Sequence, residues 1–139
     1  MHARTLRVLY WIVTLLFVVP QLWSAIQMLT GAPRMTATIV GLGYPIYVMK
    51  ILGVAKILGA AAILYGRFPL LKEWAYVGFT FDVIGAFCSH VGAGDPIYIA
   101  FVPLVFLALQ LISYLLWKRL AGGAVDNAKM ATGLPAGSA

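Results

Sequence analysis

A chain of 139 residues that is 63% hydrophobic and only 10% charged is excluded from the soluble globular class, because a domain of this size cannot bury so much apolar surface and would carry nearer a quarter of its residues as charge. The excess points to one small lipid-embedded domain. The net charge of +6 comes from basic residues scattered around apolar runs, with no basic patch interleaved with aromatics. That pattern reads as anchoring to a bilayer surface and excludes nucleic acid as a partner.

The first apolar run, residues 8–29, holds no charge and exceeds the roughly 20 residues needed to cross a hydrocarbon core. It is too long for the apolar stretch of a signal peptide, and Pro33 would follow the only small-residue cleavage pattern, so it is read as a retained helix. Pro20 predicts a kink near its middle. A long connection, about residues 30–44, follows and is expected to cap one face. The second run, 46–66, is opened by Gly43-Tyr44-Pro45 and interrupted by Lys50 and Lys56; Pro45 suits a first helical turn. The third, 74–91, contains Asp82 and His90. The fourth, 97–117, is uncharged, opened by Pro96 and closed by Lys118 and Arg119. Trp11, Trp74 and Trp117 fall near the expected interfaces. The spacing therefore predicts an all-α integral membrane domain over 1–120, a bundle of four transmembrane helices. The small, polar, aperiodic stretch 121–139 reads as a disordered tail.

Basic residues set the orientation. Arg4 and Arg7, then Arg67 and Lys72, then Lys118 and Arg119 lie on one side. The other side carries only Arg34 in the long connection and Asp95 in the short one. The positive-inside rule puts both termini in the cytoplasm.

Ionisable groups inside such runs are costly and demand a partner or a purpose. Lys56 lies about ten residues below the outer end of the second helix, or about 15 Å at 1.5 Å per residue. Asp82 lies a similar distance above the inner end of the third. At equal depth on consecutive antiparallel helices the two are expected to pair. Gly53, Gly59 and Ala60 on one side, with Gly78, Gly85, Ala86 and Ser89 on the other, would let the backbones approach closely. Two readings stand: an ion pair that fixes helix register, or a site opening onto a cavity. His90 lies about 12 Å higher on the same helix as Asp82. With Lys50, Asp95, Tyr44, Tyr47 and Gln27 it is expected to line an outer vestibule leading down to Lys56 and Asp82; the alternative is a wetted helix end.

A bis-histidine haem site fails, since His2 lies on the opposite side from His90. Zinc needs more ligands than His90 and Asp95 supply. The single Cys88 cannot form an internal disulfide or a redox pair. No phosphate-binding loop, nucleophile elbow or dinucleotide fingerprint is present. What remains is His/Asp/Lys proton chemistry or recognition of a small lipophilic molecule, of which a quinone is one example; no cofactor is predicted from the residues themselves.

The segments LGYPIYVMKILGVAKILGAAAIL, LKEWAYVGFTFDVIGAFCSH and the Gly94-Asp95 pair resemble the DoxX-like family of four-helix bacterial membrane proteins. The resemblance spans about residues 10–116 and includes Lys56, Asp82, His90 and Asp95. It implies a compact four-helix bundle in the bacterial cytoplasmic membrane, with cytoplasmic termini and an accessory role beside a quinone-linked redox partner. It does not imply a reaction. Four functions are carried forward: a binder of a small lipophilic ligand; a membrane enzyme using Asp82 or His90 as base and Lys56 or Tyr44 as electrophile; a dimeric transporter, disfavoured because the first helix lacks an acid; and an assembly factor.

Overall fold

The computed structural model describes residues 2–133. These residues form five helices: α1 (Ala3–Thr30), α2 (Pro33–Gly41), α3 (Ile46–Tyr65), α4 (Pro69–Gly92) and α5 (Ile97–Thr132). The buried positions show why they associate. In α1 these are Tyr10, Thr14, Phe17, Val18, Gln21, Ala25 and Met28; in α4 they are Lys72, Tyr76, Phe79 and Val83. The steps of three and four residues make one stripe per helix, the spacing of antiparallel neighbours with a shallow crossing. The long helices close a ring. α1 packs against α3 and α5, and α4 packs against the same two. α1 and α4 face each other across the diagonal, where the Phe17 and Phe79 rings meet edge to face with centroids 5.1 Å apart. Val18, Ala60, Ile63 and Tyr76 complete this core.

The outward faces are apolar: Leu16, Leu58, Phe81, Val105 and Leu115 are all exposed. A contiguous apolar surface of this kind needs lipid around it. Three helices, α1, α3 and α5, are long and apolar enough to cross a membrane. α4 is of comparable length but carries Lys72, Glu73, Asp82 and His90.

Several expectations change. The connection 30–44 contains a helix of its own: α2 starts with Pro33 at its first turn and drops Ile39 between Met28 of α1 and Met49 of α3. Pro20 lies inside α1, which is helical on both sides of it as a kinked helix also is. α4 begins at Pro69, five residues before the expected start at Trp74, because a proline with fixed φ and no N–H suits the first turn. Most of the expected tail is helical in this structure: α5 continues through 121–132. Residues 134–139 of that tail lie outside the described residues.

Close approach is confined to particular glycines. A methyl group on Gly59 would stand 2.8 Å from Phe79 Cε2, whereas one on Gly78 or Gly85 would meet nothing within 4 Å. Phe79 is buried against Phe17 and cannot swing away. Gly59→Ala is therefore expected to cost about 1–3 kcal/mol through overpacking. Gly78→Ala, at an open helical position, should be neutral or stabilising by about 0.5–1 kcal/mol. Thermal unfolding of the two variants in detergent would show opposite shifts; equal shifts would contradict this account of the α3–α4 contact.

Candidate functional site

Lys56 is the hub of the upper half of the bundle, the half nearer α2. Its Nζ lies 3.1 Å from Asp82 Oδ2 on α4 and donates to Gln21 Oε1 on α1 at 2.8 Å. The side chains of Lys56 and Asp82 keep 11% and 18% of their surface, so the pair is enclosed but not sealed. An ammonium group has three donor positions; Gln21 takes one, and the ion-pair contact with Asp82 engages at most a second. The third is free to point into open space.

That space is a cavity of about 700 Å³. Lys56, Asp82 and Gln21 lie at its deep end with Pro103 and Phe106 of α5. Its mouth lies between α2 and the α4–α5 turn. α2 contributes Arg34 and Thr38; the opposite edge contributes His90, Asp95 and Tyr98. Val83, Ala86, Ile99 and Val102 give apolar walls. Gly94, at φ 75°, turns the chain in the left-handed region that glycine tolerates best. The turn brings Asp95 back onto α4, where its Oδ2 sits 2.6 Å from His90 Nδ1. Arg34 makes no ion pair among the described residues. A cation thus stands at the mouth in addition to the two acid–base pairs.

The structure brings Lys56, Asp82, His90 and Asp95 to one cavity and separates them from the other candidates. Lys50 does not join His90; its Nζ donates to the Leu29 carbonyl at the end of α1. The terminal carbonyls of a helix lack intrahelical partners, and Lys50 meets the nearest of them. Tyr44 shares a hydrogen bond of 2.5 Å with Ser89 and does not line the cavity. Tyr47 is exposed on the flank of α3. Gln27 also stays outside the cavity; Gln21, six residues earlier, takes the role of polar partner on α1. Gln21, Arg34 and Tyr98 were missed. Gln21 carries a signal that sequence alone offers, since it stands about 14 Å below the end of α1, level with Lys56.

A second polar layer lies in the lower half and was not anticipated. Lys72, counted above among loop charges, is buried with 5% exposure. Its Nζ donates to Tyr10 Oη at 2.5 Å and lies 4.8 Å and 4.7 Å from the Tyr10 and Trp117 ring centres. Nearby, Ser113 Oγ shares hydrogen bonds with Tyr76 Oη at 2.7 Å and Thr14 Oγ1 at 2.6 Å. This layer joins α1, α4 and α5. Just beyond the apolar spans, Glu73 accepts from Lys118 at 2.8 Å and Tyr114 at 2.6 Å. The Lys118 bond, then the Tyr114 bond, hold the Glu73 carboxyl below its ordinary range, and the same contact raises Lys118.

Long apolar helices around a partly polar interior define a multi-pass membrane protein. The DoxX-like family matches residues 12–113 of the chain, a stretch that contains every residue lining the cavity. The chain belongs to the DoxX-like family. No curated protein and no solved structure matches it.

Proposed function

We propose that this DoxX-like protein spans the bacterial cytoplasmic membrane with four helices and cytoplasmic termini, and that its cavity holds the head group of a small lipophilic molecule. A quinone is the class that fits best, with the protein serving as accessory to a membrane redox system. The observation that carries the reading is the spare donor of Lys56 at the deep end of a cavity of about 700 Å³. That volume lies within the range of about 300–1,000 Å³ typical of small-molecule sites. A quinone presents carbonyl oxygens at opposite ends of a flat apolar ring. Lys56 can donate to one, Arg34 or Tyr98 at the mouth to the other, and the apolar walls suit the ring. The redox role rests on the family resemblance; the binding role rests on the cavity.

The test is titration of the purified protein in nanodiscs with a benzoquinone analogue. Saturable binding is expected, weakened about 10-fold or more by Lys56→Met, in line with a charge-assisted hydrogen bond of about 1.5–3 kcal/mol. Absence of saturable binding in the unmutated protein would sink the reading. The His90–Asp95 contact supports a second one, since a histidine oriented by a carboxylate is the usual arrangement of a general base. Chemical conversion of the bound molecule, lost in His90→Ala, would favour that enzyme reading.

A further inference from the structure

Lys56 and Asp82 have two sides. One faces the cavity. The other reaches a groove of about 730 Å³ on the flank of α3 and α4. Small residues form its bed: Ala55, Gly59 and Ala62 from α3, Ala75 and Gly78 from α4. Leu58, Trp74 and Phe81 stand along its edges, exposed by 65%, 64% and 73%. Lys56 and Asp82 are the two residues that line both spaces.

We propose that this groove seats the hydrocarbon chain of the same molecule whose head occupies the cavity, an amphiphile with a hydrogen-bonding head and one slender chain, arriving sideways from the lipid. The proposal rests on the ligand-binding reading above.

Three observations favour this occupant. First, the polar mouth is a poor route for a chain, which would pass Arg34, His90 and Asp95. The groove lets the head reach Lys56 while the chain stays in apolar surroundings throughout. Second, the pair lies about 15 Å from the α2 end of the bundle, near the middle of a hydrocarbon core about 30 Å thick. A glycerophospholipid keeps its charged head at the interface, far from that level. A molecule whose head is itself weakly polar can enter. Third, the groove is ill suited to a helix from a second copy. Helices dock on flat faces of small residues, whereas here Gly59 already packs on Phe79 within the chain, and the tall side chains at the edges would hold a second backbone away.

Gly78→Leu tests the idea. A side chain at Gly78 begins in open space, and leucine is the better helix former, so the substitution obstructs the bed of the groove and leaves the cavity, which Gly78 does not line, intact. Binding to the protein in nanodiscs is measured for two benzoquinone analogues, one bare-ringed and one with a long alkyl chain, with affinities expressed per lipid. Gly78→Leu is expected to weaken the chained analogue about tenfold and to leave the bare ring unchanged. Bare-ring binding sensitive to Lys56→Met, combined with no effect of Gly78→Leu on the chained analogue, overturns the groove and spares the cavity reading. Equal weakening of both analogues also overturns it. So does a dimer of the unmutated protein that Gly78→Leu dissociates, which would make the groove an interface between copies. Failure of the unmutated protein to bind either analogue overturns both readings.

Discussion

Asp82→Ala should lower the unfolding free energy of the detergent-solubilised protein by about 3 kcal/mol, the low end of the range for breaking a buried pair. The loss comes from Lys56, whose ammonium would keep only Gln21 as an acceptor among the described residues. Two features hold the figure at the low end: Gln21 remains 2.8 Å away, and the pair borders a cavity large enough for water. Replacing both members, Lys56→Met with Asp82→Leu, should recover most of the loss, because two apolar side chains carry no desolvation penalty. The double-mutant cycle separates structure from function. A double variant that is stable yet fails to bind ligand would assign the pair to recognition; a double variant as unstable as Asp82→Ala would contradict the ion-pair account altogether.

Tyr10→Phe is the companion experiment in the lower layer. The hydroxyl of Tyr10 is the one hydrogen-bond acceptor of buried Lys72 among the described residues. Its removal keeps the aromatic face and orphans the amino group, at an expected cost of about 1.5–3 kcal/mol. Lys72→Met should cost less, about 1 kcal/mol, since it leaves an unpaired hydroxyl rather than an unpaired cation and fills the space with an adaptable side chain. The two together should lie near the unmutated protein. Chemical denaturation in detergent reads all three. A Lys72→Met variant less stable than Tyr10→Phe would mean that packing against Tyr10 and Trp117, not charge satisfaction, keeps Lys72 in place.

Height along the helices was legible in the sequence; direction around them was not. Apolar runs bounded by proline and basic residues located α1, α3 and the start of α5, and the rise per residue put Lys56 and Asp82 on one level. The same arithmetic puts Gln21 level with Lys56 and Gln27 about 9 Å higher, but a hydropathy run gives no azimuth and so could not show that Gln21 faces Lys56. It could not foresee that Lys50 turns to the Leu29 carbonyl, since that depends on which helix end stands beside it. The stretch from Arg67 to Glu73 read as a loop because its charges interrupt the apolar pattern; Pro69 begins a helix there, and that helix buries Lys72. Tyr10, Thr14, Tyr76 and Ser113 escaped notice for another reason. Each is an isolated, uncharged polar group in an apolar run, and only packing reveals that they meet.

The length of α5 has a mechanical consequence. Its 36 residues measure about 54 Å at 1.5 Å per residue, far more than a hydrocarbon core of about 30 Å. The surplus stands as a continuous rod, with residues from Ala121 to Thr132 exposed apart from half-buried Lys129. Gly122 and Gly123 sit near the base of that rod, and each costs about 1 kcal/mol relative to alanine. Unwinding that starts at Thr132 therefore meets its weakest turn at these glycines. It halts just below them, where Trp117 stacks on Tyr76 and Lys118 is tied to Glu73. Torque applied to the rod would be shed at Gly122 before it reached the bundle.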